Sequence, residues 1–171
     1  MNRSARSLRA DLSHVDTWIF DLDNTLYPST SRLFDQIDLR IGQFIAQRFD
    51  VDSQEARKIQ KSYFREHGTT LNGLMTEHDM APEEFLDYVH DIDFSPLEPS
   101  AGLEAALAAL PGRKMIFTNA DVSYARKVLV RLGVAHHFEH VFDITAAKYV
   151  PKPFPAAYDA LVQRHEIEPK A

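Results

Sequence analysis

The sequence contains no cysteine, so it forms no disulfide and offers no thiolate to a metal. That suits a reducing compartment, and a cytoplasmic protein is expected. No apolar stretch approaches the roughly 18 residues that cross a bilayer. An excess of positive charge is also missing. The formal net charge of −6 argues against nucleic acid or an anionic membrane as partner, because both reward a basic face. Arg3, Arg6 and Arg9 stand among serines with no apolar signal core behind them. Residues 1–16 are therefore expected to be a disordered arm, not a targeting segment. What remains, 171 residues at 44% hydrophobic and 26% charged, is enough for one sizeable core or a core plus a small module.

Thr17 to Phe20 is a short β-prone run that stops at Asp21, as a buried parallel strand does when it delivers polar groups at its carboxyl end. Lys114 to Phe117 repeats this pattern and stops at Thr118-Asn119. It follows a Pro111-Gly112 turn and an alanine- and leucine-rich helix over 101–110. Asp121 reads as the N-cap of a helix over 122–132 that Gly133 stops. A third strand is expected over 141–144, and Pro155 suits the first turn of a helix reaching about His165. Alternation of strand and helix predicts a parallel α/β sheet.

One connection departs from this rhythm. A βα loop usually holds about 2–6 residues, yet here residues 28–99 intervene. Leu33, Phe34, Ile37, Ile41, Phe44, Ile45 and Phe49 recur at helical spacing on one face. Asp52 and Glu55 resemble a capping box for a second helix with Ala56, Ile59 and Tyr63 inward. Short helices over 71–75 and 82–90 complete an insertion of four helical elements. We expect core segments at 17–27 and 98–171, with 28–97 as a helical cap.

Asp21-Leu22-Asp23-Asn24-Thr25-Leu26-Tyr27 carries the chemistry. Residues two apart in an extended chain point the same way, so Asp21 and Asp23 are expected to project together beyond the strand. A calcium loop of the EF-hand type needs Gly at its sixth position and Glu at its twelfth; here these are Leu26 and Arg32, so that reading fails. Elsewhere the paired spacing of Asp91 and Asp93 reads as a return hinge. His136, His137 and His140 read as a solvated loop, since no carboxylate or thiol pattern accompanies them in sequence.

Asp21-x-Asp23-x-Thr25 after an apolar strand, Thr118-Asn119 after the next, and Lys152 between Pro151 and Pro153 resemble the first three motifs of the haloacid dehalogenase-like superfamily. The insertion lies where that superfamily carries its first type of cap. The resemblance implies a Rossmann-like core and a phosphohydrolase acting through an aspartyl-phosphate. It implies Asp21 as nucleophile, Asp23 as general acid and base, Thr118 as a donor to the phosphoryl group and Lys152 as its countercharge. By the same resemblance Asp23 favours phosphate over halide chemistry, because members that displace halide lack an acid at this position, halide leaving without a proton. Magnesium is the implied cofactor, held by the Asp21 carboxylate and the Asp23 backbone carbonyl.

Phe20 to Tyr27, the stretch 63–74 and Tyr149-Val150-Pro151-Lys152-Pro153 further resemble the pyrimidine 5′-nucleotidase branch, which implies a nucleoside monophosphate as substrate. Asn119 and Tyr63 are then candidates for substrate contact, with a cap-core role for Tyr63 equally open. A sugar-phosphate or phosphoglycolate phosphatase is the alternative within the superfamily, and an inactive fragment or binding module the alternative outside catalysis. The superfamily's fourth, acidic motif follows a strand beyond the helix after Lys152, and no Asp follows Asp159. A carboxyl-terminally truncated sheet is expected, with the first strand at its edge and a homodimer as one outcome.

Overall fold

The computed structural model describes residues 12–169. The expected arm therefore lies largely outside the described residues. Strands β1 (Thr17–Phe20), β2 (Arg113–Phe117) and β3 (His140–Phe142) form a parallel sheet in the order β1-β2-β3. Thr17 pairs with Arg113 and Phe20 with Ile116, while Met115 pairs with His140 and Phe117 with Phe142. Between β1 and β2 lie α1 (Leu33–Phe49), α2 (Ser53–His67), α3 (Thr70–His78), α4 (Pro82–Val89) and α5 (Ala101–Ala109). Helix α6 (Val122–Arg131) links β2 to β3, and α7 (Pro155–His165) follows β3.

β2 is central, and its alternation sorts the core. Met115 and Phe117 pack with Phe142 and with Ala157 and Leu161 of α7. Ile116, pointing to the other face, joins Leu107 of α5 and Tyr124, Val128 and Leu129 of α6. Helices on both faces explain why Met115, Ile116 and Phe117 of β2 are apolar and buried. Among the described residues β1 pairs only with β2, which is the expected edge position.

The insertion forms largely as its pattern predicts. α1 buries Leu33, Ile37, Phe44 and Ile45, whereas Phe34 is 40% exposed. Asp52 caps α2 by accepting from the backbone N–H groups of Gln54 and Glu55. Glu55 does not complete a capping box; its carboxylate takes Lys58 Nζ at 2.8 Å instead. The third helix, Thr70–His78, runs longer than expected; Thr69 caps its start and Gly73 lets α2 approach closely. A Cβ at Gly73 would stand 2.4 Å from the Tyr63 ring. The third strand is shorter than expected and ends at Phe142, since Asp143 and Ile144 turn to bond the start of α6 and Ala120.

The turn before β2 sets the register of the central pair. Gly112 has φ +80°, Arg113 N–H donates to Asp16 O at 2.8 Å, and Trp18 Nε1 donates to Pro111 O at 2.7 Å. A Cβ at Gly112 would lie 2.2 Å from Asp16 O, a backbone atom that cannot swing aside. Gly112→Ala is therefore expected to lower the unfolding free energy by at least about 1 kcal/mol, within the usual range for such strain. Gly102→Ala, within α5, where a Cβ meets only Ser100 Oγ at 3.7 Å, serves as the control and should hold or raise stability because alanine favours the helix. Urea midpoints check this, and equal midpoints for Gly112→Ala and wild type would contradict the close approach.

Candidate active site

Three strand ends converge at the carboxyl edge of the sheet, where open α/β sheets bind ligands. Asp21 follows β1, Thr118 follows β2, and Lys152 comes from the loop between β3 and α7. Lys152 Nζ donates to Asp21 Oδ1 at 2.6 Å and to Phe117 O at 2.6 Å. The ammonium also lies 5.0 Å from the centre of the Phe117 ring. Asn119 clasps the lysine's own backbone: its Nδ2 donates to Lys152 O at 3.2 Å and its Oδ1 accepts from Lys152 N–H at 2.8 Å. The Lys152–Pro153 peptide is cis.

The other Asp21 oxygen, Oδ2, accepts the Thr25 hydroxyl at 3.0 Å. Thr118 is buried, and its Oγ1 accepts from Ala120 N–H at 3.0 Å. That bond uses the hydroxyl only as acceptor, which leaves its hydrogen for donation. Asp143, buried behind the site, caps the start of α6 through Val122 N–H at 3.0 Å and its own loop through Ala146 N–H at 2.8 Å.

Asp21 and Asp23 do not present their carboxylates as one pair. The chain leaves the extended conformation at Asp21: Thr25 and Leu26 N–H both donate to Leu22 O, and Asn24 adopts φ 55°. Leu22 plunges into the core while Asp23 turns inward, where its Oδ1 accepts the Tyr27 and Tyr124 hydroxyls, each at 2.7 Å. Burial pushes the Asp23 carboxyl above its ordinary range, and the Asp21 charge adds to this; the two tyrosine hydrogen bonds and His90 oppose it. Burial and the Asp23 charge likewise push both phenols upward.

This inner network reaches the insertion. His90, at the end of α4, stacks on the Tyr124 ring with centroids 4.4 Å apart, and its Nδ1 meets Asp121 Oδ2. Asp121 also caps α6 through Tyr124 N–H at 2.9 Å. Sequence reading found the capping role of Asp121 but missed His90 and Tyr124. Tyr27 stands one helical turn from Asp23, a local signal, whereas Tyr124 is 101 residues away and carries none.

A cavity of ≈ 700 Å³ opens between the insertion and the core, and Asp23, Asn119, Ala120 and Ile144 form its floor. Phe34, Phe64, Phe85 and Leu86 supply apolar walls, and Arg57, Lys58, Lys61 and Arg65 of α2 supply positive charge. Tyr63 does not line it. Its ring packs on Gly73 and its hydroxyl meets His78 Nε2 at 2.6 Å, which is the cap-core alternative.

The donors at the strand end are oxygens alone. Asp21 Oδ2 carries one hydrogen bond, and the Asp23 carbonyl has only a long contact, 3.5 Å, from the Thr25 hydroxyl. Such a set fits magnesium, which binds through one or two carboxylates and completes its shell with water and phosphate.

An α/β sheet with a carboxylate and a lysine joined at its strand ends, under a helical insertion, defines a class of hydrolase. The chain belongs to the haloacid dehalogenase-like hydrolase family, whose model matches residues 15–171. It is 26% identical over 159 residues to phosphate metabolism protein 8 of Saccharomyces cerevisiae, covering 83% of this chain and 49% of that protein. It is 27% identical over 168 residues to the glyceraldehyde 3-phosphate phosphatase of Methanopyrus kandleri, covering 89% of this chain and 71% of that protein. This chain thus spans about half the length of the yeast relative. The fold is shared with the HAD-hydrolase YfnB of Bacillus subtilis, solved bound to magnesium. The TM-score is 0.51 at 15% identity, covering 91% of this chain and 74% of that one.

The Asp121 link between insertion and core yields a pH-dependent prediction. Burial raises the Asp121 carboxyl, but His90 and the α6 backbone N–H groups outweigh it, and the net shift is below the ordinary 3.8. A depressed carboxyl stabilises the fold above its unfolded pKa, and that contribution is lost as pH falls through the folded value. Asp121→Asn keeps the cap but breaks the charged partner of His90. It should cost about 1–3 kcal/mol at pH 7, as for a hydrogen bond to a charged group, and progressively less below about pH 4. Urea unfolding at pH 7 and 3.5 measures this; a difference that grows on acidification would refute the assignment.

Proposed function

We propose that this chain forms the reacting core of a magnesium-dependent phosphomonoesterase that works through an aspartyl-phosphate. The observation that carries it is Lys152 Nζ held 2.6 Å from Asp21 Oδ1 at the carboxyl end of β1, with Asp23 two residues on. An Asp21 oxygen bonds to phosphorus as the bond to the leaving oxygen breaks, and Asp23 gives that oxygen its proton. Asp23 then takes a proton from the water that attacks phosphorus, which releases Asp21 and inorganic phosphate. The raised Asp23 carboxyl suits a group that must hold a proton before passing it on.

Lys152 neutralises charge shared by Asp21 and the phosphoryl group, and the Thr118 hydroxyl donates to a phosphoryl oxygen. Asn119 acts on this reading chiefly by placing Lys152. Magnesium, when bound through Asp21 and the Asp23 carbonyl, supplies charge neutralisation on the phosphate. Residues 17–27 and 98–171 serve as the core and 28–97 as the cap that selects the leaving group. A cytoplasmic setting and a homodimer along the open side of β1, where Ile19 is 42% exposed, complete the proposal.

A nucleoside 5′-monophosphate is the preferred substrate because the cavity joins aromatic walls to a basic helix and has the volume of a small-molecule site. A three-carbon sugar phosphate is the second reading, favoured by the phosphatase from Methanopyrus kandleri. A panel of pyrimidine and purine monophosphates beside triose and glycolate phosphates separates them by kcat/KM.

Two substitutions test the chemistry. Asp21→Asn is expected to abolish turnover and trapping by beryllium fluoride or labelled phosphate, because an amide forms no acyl phosphate. Label retained by that variant would sink the role of Asp21. Asp23→Asn should slow hydrolysis of alkyl phosphates by about 10²- to 10⁴-fold. Its effect on p-nitrophenyl phosphate, whose leaving group needs no proton, should be much smaller. Equal losses on both substrates would count against Asp23 as the acid.

A further inference from the structure

One cluster of side chains has no part in that reaction. Glu104 on α5 faces His136 and His137, which end the 3-10 turn at Ala135–His137. The turn leads into the amino end of β3, whereas Asp21, Thr118 and Lys152 lie at the carboxyl ends of the strands. His136 Nε2 is 3.2 Å and His137 Nε2 is 2.9 Å from the same oxygen, Glu104 Oε1. The two imidazole rings lie 4.1 Å apart, inclined by 38°.

Hydrogen bonding alone leaves this arrangement incomplete. His137 Nε2 is buried and, despite its closeness to Glu104, has no aligned hydrogen bond. Both rings aim the same nitrogen at one oxygen, and protonating both would set two like charges one ring-stack apart. Three ligand atoms, all within 4.8 Å of one another, instead outline one face of a coordination polyhedron. With metal–ligand bonds of about 2.0–2.2 Å, the edges of an octahedral shell are roughly 2.8–3.1 Å long and those of a tetrahedral shell roughly 3.3–3.6 Å. The two Glu104–histidine separations, 2.9 and 3.2 Å, lie respectively within the octahedral range and just below the tetrahedral one, so small side-chain shifts would close the three atoms on one ion.

We propose that Glu104, His136 and His137 form a second metal site, of the zinc class, that fastens α5 to the turn before β3. Two imidazoles and one carboxylate suit a borderline ion such as zinc and disfavour magnesium, which takes oxygen donors. Water fills the remaining position. The site does not touch the hydrolytic centre, so its metal is structural: binding to the folded chain stabilises it by mass action. The signal was half visible in sequence, where the adjacent histidines stand without a carboxylate; Glu104 comes from 32 residues upstream.

Titration calorimetry of tag-free protein with zinc chloride, in excess magnesium chloride, tests the proposal. The outcome expected is one zinc per chain, with affinity lowered at least about ten-fold in Glu104→Gln and in His136→Gln, the lower bound for disturbing a metal's surroundings. Asp21→Asn should bind zinc as wild type does, which separates this site from the hydrolytic one. Neither Glu104 nor His136 is buried, and thermal melts without zinc confirm that each variant is folded. The proposal is overturned by lack of saturable zinc binding, by binding that survives in either cluster variant, or by binding lost in Asp21→Asn.

Discussion

Asp21 and Lys152 are 131 residues apart in sequence, and their 2.6 Å contact depends on three strand ends finishing at one level. The ammonium is not free to choose its place. It bonds at once to Asp21 and to the last carbonyl of β2, while Asn119 grips the lysine's backbone from both sides. Any slip of β1 against β2 by one residue would turn Asp21 to the other face and bury it where Leu22 now sits. Register, set by the Gly112 turn and the Trp18 contact, is therefore what brings Asp21 and Lys152 together.

Asp23 shows the opposite economy. Its carboxyl is drawn inward, desolvated and held by two phenols, an arrangement that disfavours the charged form. Groups poised in this way cost stability and are characteristic of sites where a proton is held and released. The same network is also the bridge to the insertion, through the His90 ring on Tyr124 and through Asp121. Movement of α4 relative to α6 therefore bears directly on the tyrosine that holds Asp23. The polar groups that tie the insertion to the core and those that set the Asp23 proton are, in part, the same atoms.

Local signals were read well where a short stretch of chain decides the outcome. Asp52, Asp121 and Pro155 marked helix starts because a cap or a fixed φ acts within one turn. Thr17 to Phe20 marked a strand because β-branched and aromatic side chains follow one another there and stop at a charged residue. The failures share one cause. Glu55 turned to Lys58 and the third strand stopped early at Asp143, each because a side chain found a competing partner, three residues away for Glu55 and 21 away for Asp143. Propensity and periodicity carry no information about such partners.

By itself the sequence determined the α/β alternation, the place of the insertion and the residue types at the three strand ends, since these follow from periodicity, capping and motif order. Tertiary structure alone decided the rest. It split Asp21 and Asp23 between a lysine and two tyrosines, made Asn119 the clasp of Lys152, and brought Glu104 to two histidines. The reason is physical: hydrogen bonds, desolvation and charge act over a few ångströms of space, and folding joins residues whose separation along the chain carries no trace of that proximity.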